Sequence, residues 1–229
     1  MKYPAVRSEE ETLRAVIGGC SIARYGDGEF KLAGGGPCVS QVWNKSIGKE
    51  LREILASGGG PCLVGIPNLD PRSPKIQNWR RYEQIYPRFL HPKATYHSAF
   101  ISRPDSAPWI YTREFYDMIE SLWAGQEIAM VYGTERSLSS DFPAMKSAAK
   151  IHVVSCARRD AYDQIDALVA EVIRTGAKRA ILCCGPTATC MAWRLAQMGV
   201  HAIDLGHIGM FWYREGETPK WMRSASEKN

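Results

Sequence analysis

The sequence predicts an α/β fold built on a mostly parallel sheet with helices on both faces. Three features predict it. The C-terminal half contains apolar, strand-length runs at Ile128–Tyr132, Ile151–Ser155, Arg179–Cys184 and His201–Leu205. Two well-marked helices lie between the last three runs. The first takes Asp160 as its N-cap, places Ile165, Leu168, Val169, Val172 and Ile173 on one face and ends at Gly176. The second has Pro186 at its first position and Gly199 just past its end. Strand–helix–strand alternation requires crossover connections, and these give parallel pairing with both sheet faces covered.

The N-terminal half is less regular. Ser8 followed by Glu11 forms a capping box, and Leu13, Val16 and Ile17 continue at helical spacing until Gly18-Gly19. Ser21–Tyr25 reads as a strand, followed by a glycine-rich turn at Gly26-Asp-Gly-Glu29 and a loop through Gly34-Gly-Gly36. A helix is expected near Lys45–Ala56, a buried strand at Cys62–Ile66, a helix around Lys75–Arg88 and a strand at Thr95–Ser102. Thr112 caps a further helix that runs toward Trp123. Neither an internal repeat nor a low-complexity linker interrupts the chain, so residues 1–229 are expected to form one domain.

Composition narrows the function classes. Hydrophobic residues make up 45% and charged residues 23% of 229 positions, a globular balance. No apolar stretch approaches the roughly 20 residues that span a bilayer, and a cytoplasmic location is expected. The seven cysteines contain no Cys-x-x-Cys pair, so free thiols in a reducing compartment are expected rather than a disulfide framework. A formal charge of +5 suits an anionic small ligand such as a nucleotide diphosphate, and it also suits a nucleic-acid surface.

In parallel sheets, ligands bind beyond the carboxyl ends of the strands. This chain places unusual polar residues at several such ends: Asp27 and Glu29, Gly133 through Arg136, Ser155 through Asp160, Gly185 through Thr189, and Asp204 through His207. In an extended segment Asp27 and Glu29 would face one side and could share a hard cation, Mg²⁺ or Mn²⁺, that bridges to phosphates. An ordinary Asp-Gly turn has the same spacing. Gly185-Pro186-Thr187 opens a helix whose free N–H groups attract phosphate, although Thr capping of a tight turn would look alike. His207 could ligate metal or move a proton, and Arg103 and Arg136 could neutralise a diphosphate. There is neither a Walker lysine nor a G-x-G-x-x-G fingerprint.

Four segments carry a family resemblance: Ser21-Ile-Ala-Arg-Tyr-Gly-Asp-Gly-Glu-Phe30, Phe100-Ile-Ser-Arg-Pro104, Asp160-Ala-Tyr-Asp-Gln-Ile165, and Gly185-Pro-Thr-Ala-Thr189 through Ala202-Ile-Asp-Leu-Gly-His-Ile208. In this order, and over most of the length from Ser21 to Trp212, the chain resembles the bacterial GT-D-type glycosyltransferases, once known only as a domain of unknown function. The resemblance implies a Rossmann-like fold, a UDP-sugar donor, a hydroxyl acceptor and a metal-binding Asp-x-Glu motif matched by Asp27 and Glu29. On that basis Mn²⁺ or Mg²⁺ would be held by Asp27, Glu29 and His207, which would also be the catalytic group. The nucleotide-sugar would meet Arg24, Arg103, Gly133, Arg136, Ser155, Asp160, Gly185, Pro186, Thr187 and Asp204. The general base stays open among Asp27, Glu29, Asp204 and His207. One departure bears on acceptor choice and on the metal site: where the family pattern has an acidic residue soon after Gly-His-Ile, this chain has Gly209-Met-Phe211. The rival readings are a metal-dependent nucleotide phosphohydrolase and a non-catalytic nucleotide-binding regulator; a nucleic-acid acceptor also remains compatible with the charge.

Overall fold

A computed structural model describes residues 3–80, 83, 86–133 and 138–211. Seven strands form one sheet: β1 (Ser21–Arg24), β2 (Cys62–Ile66), β3 (His97–Ser98), β4 (Glu127–Tyr132), β5 (Lys150–Ser155), β6 (Arg179–Cys183) and β7 (His201–Asp204). Their order is β3-β2-β1-β7-β6-β4-β5, and every pairing is parallel. The expected parallel character therefore extends to the whole sheet.

Strand alternation divides the core into two layers. Ile22, Ile128, Met130, Ile181 and Ile203 point to one face, where they pack with α1 (Glu9–Ile17), α5 (Arg113–Glu120) and the Ala99–Ser102 turn. Ala23, Ala129, Val131, Ala180, Leu182 and Ala202 point to the other, toward α2 (Asp27–Ala33), α3 (Lys45–Ser57), α6 (Ile165–Arg174) and α7 (Pro186–Gln197). The small alanines on that face let α7, itself carrying Ala188, Cys190 and Ala192 inward, lie directly against the sheet. Burial on both faces is what parallel strands require, and it explains why these runs read as continuously apolar.

Three sequence expectations are adjusted. The strand expected over 95–102 pairs only at His97–Ser98, and Ala99–Ser102 turns into a 3-10 helix. Ser98 causes the break: its hydroxyl accepts from Phe100 N–H at 3.1 Å, a local bond that competes with the ladder. The helix expected over 75–88 is a short α4 (Ile76–Arg80) and a separate 3-10 turn at Tyr86–Arg88. Asp160 does not cap α6 with its side chain. It adopts φ 57°, starts a 3-10 turn at Ala161–Gln164, and spends its carboxylate elsewhere. Asp tolerates this left-handed conformation better than most residues.

The connections run in opposite directions at one place. From β1 to β2 to β3, and from β6 to β7, the chain steps one way across the sheet; from β4 to β5 it steps the other. The neighbours β4 and β6 thus form a topological switch point, where a crevice opens at the strands' carboxyl ends.

Candidate functional site

The ladder registers bring the ends of β1, β7, β6, β4 and β5 to one rim, through pairs such as Leu182 with Asp204 and Tyr132 with both Cys183 and Ser155. Two adjoining cavities lie there. The larger, about 270 Å³, is bounded by the start of α2, the 38–40 segment, Arg103, the start of α7 and His207. The smaller, about 30 Å³, lies at the β4/β6 switch point against Gly133, Cys156 through Arg158 and Cys184. Ser40, Gly185 and His207 line both.

Asp27 and Glu29 do not occupy an extended segment. They lie in the first turn of α2, with Gly26 as N-cap, so their side chains leave the axis roughly 200° apart rather than on one face. The local cause is Glu29, which reaches back at the third helical position to accept the Gly26 N–H at 2.7 Å. That is the glutamate half of a capping box, and Phe30, Leu32 and Ala33 follow as the buried side of the turn. Asp27 instead pairs with Lys31 at 2.5 Å. Both carboxylates nevertheless border the larger cavity.

Burial, reinforced by the negative charge of Asp204, pushes the Glu29 carboxyl up to about 7; the Gly26 N–H and Arg24 partly oppose this. A carboxyl that titrates near neutrality in a cleft is suited to proton exchange or to switching on a cation.

Behind this wall lies a buried ion pair. Arg24 donates Nε to the Asp204 carbonyl at 2.5 Å and Nη1 to the Ala99 carbonyl at 2.7 Å, and its Nη2 lies 3.4 Å from Asp204 Oδ1. Asp204 also accepts from Arg24 N–H, the Thr189 hydroxyl and Gly206 N–H. Burial raises the Asp204 carboxyl, while Arg24 and the hydrogen bonds counter that shift. Both residues border the cavity, yet their polar atoms are committed inward, which makes them the frame that holds β1 against β7. Gly206 completes the frame at φ 52°, where an added Cβ would lie 2.4 Å from Arg24 Nη2. Because Arg24 is pinned, it cannot move aside. Gly206→Ala is therefore expected to cost about 2 kcal/mol or more, read as a lower urea midpoint at unchanged slope.

The other expected site residues divide. Gly185 (φ 62°) and Pro186 bring the α7 N-terminus to the cavity wall, and a Cβ added at Gly28 would lie 3.6 Å from Pro186 Cγ. Arg103 borders the cavity with its guanidinium held in two 2.8 Å bonds to Asp105. Gly133 borders the switch-point cavity. Thr187 is buried at 1% exposure and its hydroxyl has no hydrogen-bond partner, so it does not face the cavity. Ser155 is exposed at the sheet edge and borders neither cavity. Asp160 holds the 38–42 segment in place, accepting Val42 N–H at 2.6 Å and donating its own N–H to the Ser40 carbonyl at 2.9 Å. Arg136 lies outside the described residues.

Sequence reasoning missed the strap formed by Cys38, Val39 and Ser40, which closes one side of the cleft. It also missed Lys31 and Trp79 in the larger cavity, whereas Arg158 in the smaller belongs to the Ser155–Asp160 rim segment that the sequence singled out. Glu29 at the third position after Gly26 was a legible helix signal; nothing local marks the strap, whose anchoring bonds to Asp160 and Tyr162 span 118 or more residues.

Among the described residues, no group of three His, Cys, Asp or Glu side chains is arranged to hold a metal ion. What the cleft offers is two hard carboxylates and an exposed imidazole, His207. That donor set fits a Mg²⁺ or Mn²⁺ that completes its shell with substrate phosphates and water, the usual habit of such ions, and does not fit an all-protein cage.

Comparison with known proteins converges on one family. The sequence profile of the glycosyltransferase GT-D fold matches residues 22–225. The chain is 26% identical over 217 residues to the glycosyltransferase GlyD of Streptococcus pneumoniae serotype 4, covering 89% of this chain and 26% of that protein. It is 30% identical over 221 residues to the probable glycosyl transferase Gly of Streptococcus gordonii, covering 88% of this chain and 32% of the relative. It thus spans about a quarter to a third of these curated relatives. A solved glycosyltransferase structure from Streptococcus sanguinis, of the domain of unknown function 1792, superposes with a TM-score of 0.80 at 26% identity, over 91% of this chain and 83% of the other. A structure of that domain described as having a distinct glycosyltransferase fold also gives 0.80, over 90% and 79%.

Proposed function

This chain belongs to the glycosyltransferase GT-D fold family, and from that premise we propose that it transfers a sugar from a nucleotide-diphosphate donor, a UDP-sugar, to a hydroxyl acceptor with the aid of Mn²⁺ or Mg²⁺. The observation that carries this reading is the pair of adjoining cavities that share Gly185, the residue before α7, in their lining. The nucleoside would take the switch-point side, near Gly133. The diphosphate would lie at Gly185-Pro186, at the start of α7, where the helix dipole favours negative charge. The sugar would enter the larger cavity.

Glycosyl transfer builds negative charge on the departing diphosphate while the anomeric carbon becomes oxocarbenium-like. Asp27 and Glu29 would hold the ion, with His207 beside them, and the bound ion supplies Lewis-acid stabilisation of the leaving oxygens. The α7 amides and Arg103 add donors that need no reorganisation as that charge appears. Lys31, Arg24 and Arg103 are each already paired with a carboxylate, so the charge these three offer the diphosphate is largely compensated, and a bound cation would add to it.

The general base now narrows. Asp204 is enclosed by Arg24, Thr189 and Gly206, and Asp27 is engaged by Lys31. Glu29, titrating near neutrality, and the exposed His207 remain.

Thermal shift and calorimetry with UDP-, GDP- and dTDP-sugars, each with Mn²⁺ and with EDTA, test the donor. UDP-sugar binding is expected to be the tightest and to weaken at least about tenfold when metal is chelated. Metal-independent binding, or a preference for another base, refutes the corresponding part. Nucleotide release without any acceptor would instead indicate a phosphohydrolase, and binding without turnover a regulator. No described helix is long and apolar enough to cross a membrane.

A further inference from the structure

One wall of the larger cavity rests on a charged cluster that extends beyond Arg103, the member that lines it. After Arg103 the chain turns at Pro104. Ser106 N–H and Ala107 N–H close the turn on the Arg103 carbonyl at 2.8 and 3.1 Å, and Asp105 is carried back to the Arg103 side chain. Asp105 accepts Arg103 Nε on Oδ1 and Nη2 on Oδ2, each at 2.8 Å. This two-pronged pairing matches the planar guanidinium and fixes its orientation. Lys75, the residue before α4, donates to the same Oδ2. One turn along α4, Trp79 sets its ring 5.7 Å from the Arg103 guanidinium carbon and donates Nε1 to the Ser106 hydroxyl at 3.4 Å. Arg103 Nη1 has no hydrogen-bond partner among the described residues, so that end of the fork is left for a ligand.

Resting on the donor reading above, we propose that Asp105 is a positioning residue that locks Arg103 with Nη1 free for the departing diphosphate, while Lys75 returns the positive charge that the pairing removes. A singly paired arginine would be a poor anion site. Here two cations share one carboxylate, so the cluster keeps one positive charge. Burial alone would favour a neutral Asp105, whose side chain is 9% exposed, but the bonds and charges of Arg103 and Lys75 hold its carboxyl below the usual range. The fork therefore stays closed at neutral pH. A guanidinium held in this way is aimed before the ligand arrives, so its side-chain entropy is not lost again on binding.

Calorimetry with pyrophosphate and Mn²⁺ tests this, because the probe carries the diphosphate charge without a base. In Asp105→Asn the cluster gains positive charge but loses its fork. Charge alone predicts tighter binding; positioning predicts binding weakened about tenfold. Arg103→Lys keeps the charge and has no fork to lock, so in that background Asp105→Asn should cost little more. A merely structural Asp105 would weaken both backgrounds alike.

Lys75 is 41% exposed and lines neither cavity. Lys75→Met should therefore fold normally and weaken the probe about threefold at low salt, and less at high salt; it also covers the case in which Asp105→Asn does not fold. Unchanged or tighter binding in Asp105→Asn, equal losses in the two backgrounds, an unchanged Lys75→Met, or a wild-type chain that binds no pyrophosphate overturns the assignment. Wild type that binds pyrophosphate, with these losses in the variants but no preference for UDP-sugars, bears out the fork and counts against the donor reading alone.

Discussion

Replacing Glu29 with glutamine is expected to lower metal-dependent sugar transfer at least about a hundredfold while leaving the fold intact. The glutamine keeps an oxygen where Glu29 accepts the Gly26 N–H, so the cap on α2 survives. What disappears is the charge. Whether Glu29 holds the cation or accepts the acceptor's proton, transfer needs it ionised, so the wild-type rate should rise with pH through about 7 and the residual rate of the variant should lack that inflection. Stability should respond in the opposite sense. The folded chain holds the Glu29 proton up to about 7, whereas the unfolded chain releases it near 4.5. Stability from the protonated form is thus present below the lower value and is lost as pH rises through the upper one. Glutamine removes that penalty, so above neutrality the variant should melt at or above the wild-type temperature. Unchanged transfer in a folded variant would remove Glu29 from the site.

How much of this could be read from the sequence depends on how far each contact reaches along the chain. The sheet was legible because its central strands are buried on both faces and its helices carry local marks, Pro186 and Gly199 around α7 and Ser8 with Glu11 at α1. The orientation of Asp27 and Glu29 was misjudged because Gly-Asp-Gly-Glu suits a turn, an extended segment or a helix start; the deciding contact is the bond from Gly26 to Glu29. Arg24, Asp204 and Thr187 looked like ligand contacts because they stand at strand and helix ends. The burial of Arg24 and Asp204 follows from β1 lying beside β7, 180 residues away, which no local pattern encodes. Asp160 is the same case: a cap by pattern, it serves instead as the anchor of a strap 118 residues earlier.

The largest loss of stability should come from Asp204→Ala, at about 3–5 kcal/mol. Deleting the carboxylate strands Arg24, whose side chain is 8% exposed, with a charge it can neither pair nor hydrate. It also removes the acceptor of Gly206 N–H and one of the two acceptors of the Thr189 hydroxyl. Asp204→Asn should cost less, because one amide oxygen still accepts from this set. Arg24→Met combined with Asp204→Leu should recover part of the alanine loss, since a well-packed apolar pair replaces a buried ionic one at little or no net cost. Denaturant midpoints at constant slope would measure all three. If Arg24 and Asp204 instead served mainly to contact the donor, the alanine variant would stay close to wild type in midpoint and fail only in binding. A loss in stability that the double variant repairs, without repair of transfer, would separate the frame from the chemistry built upon it.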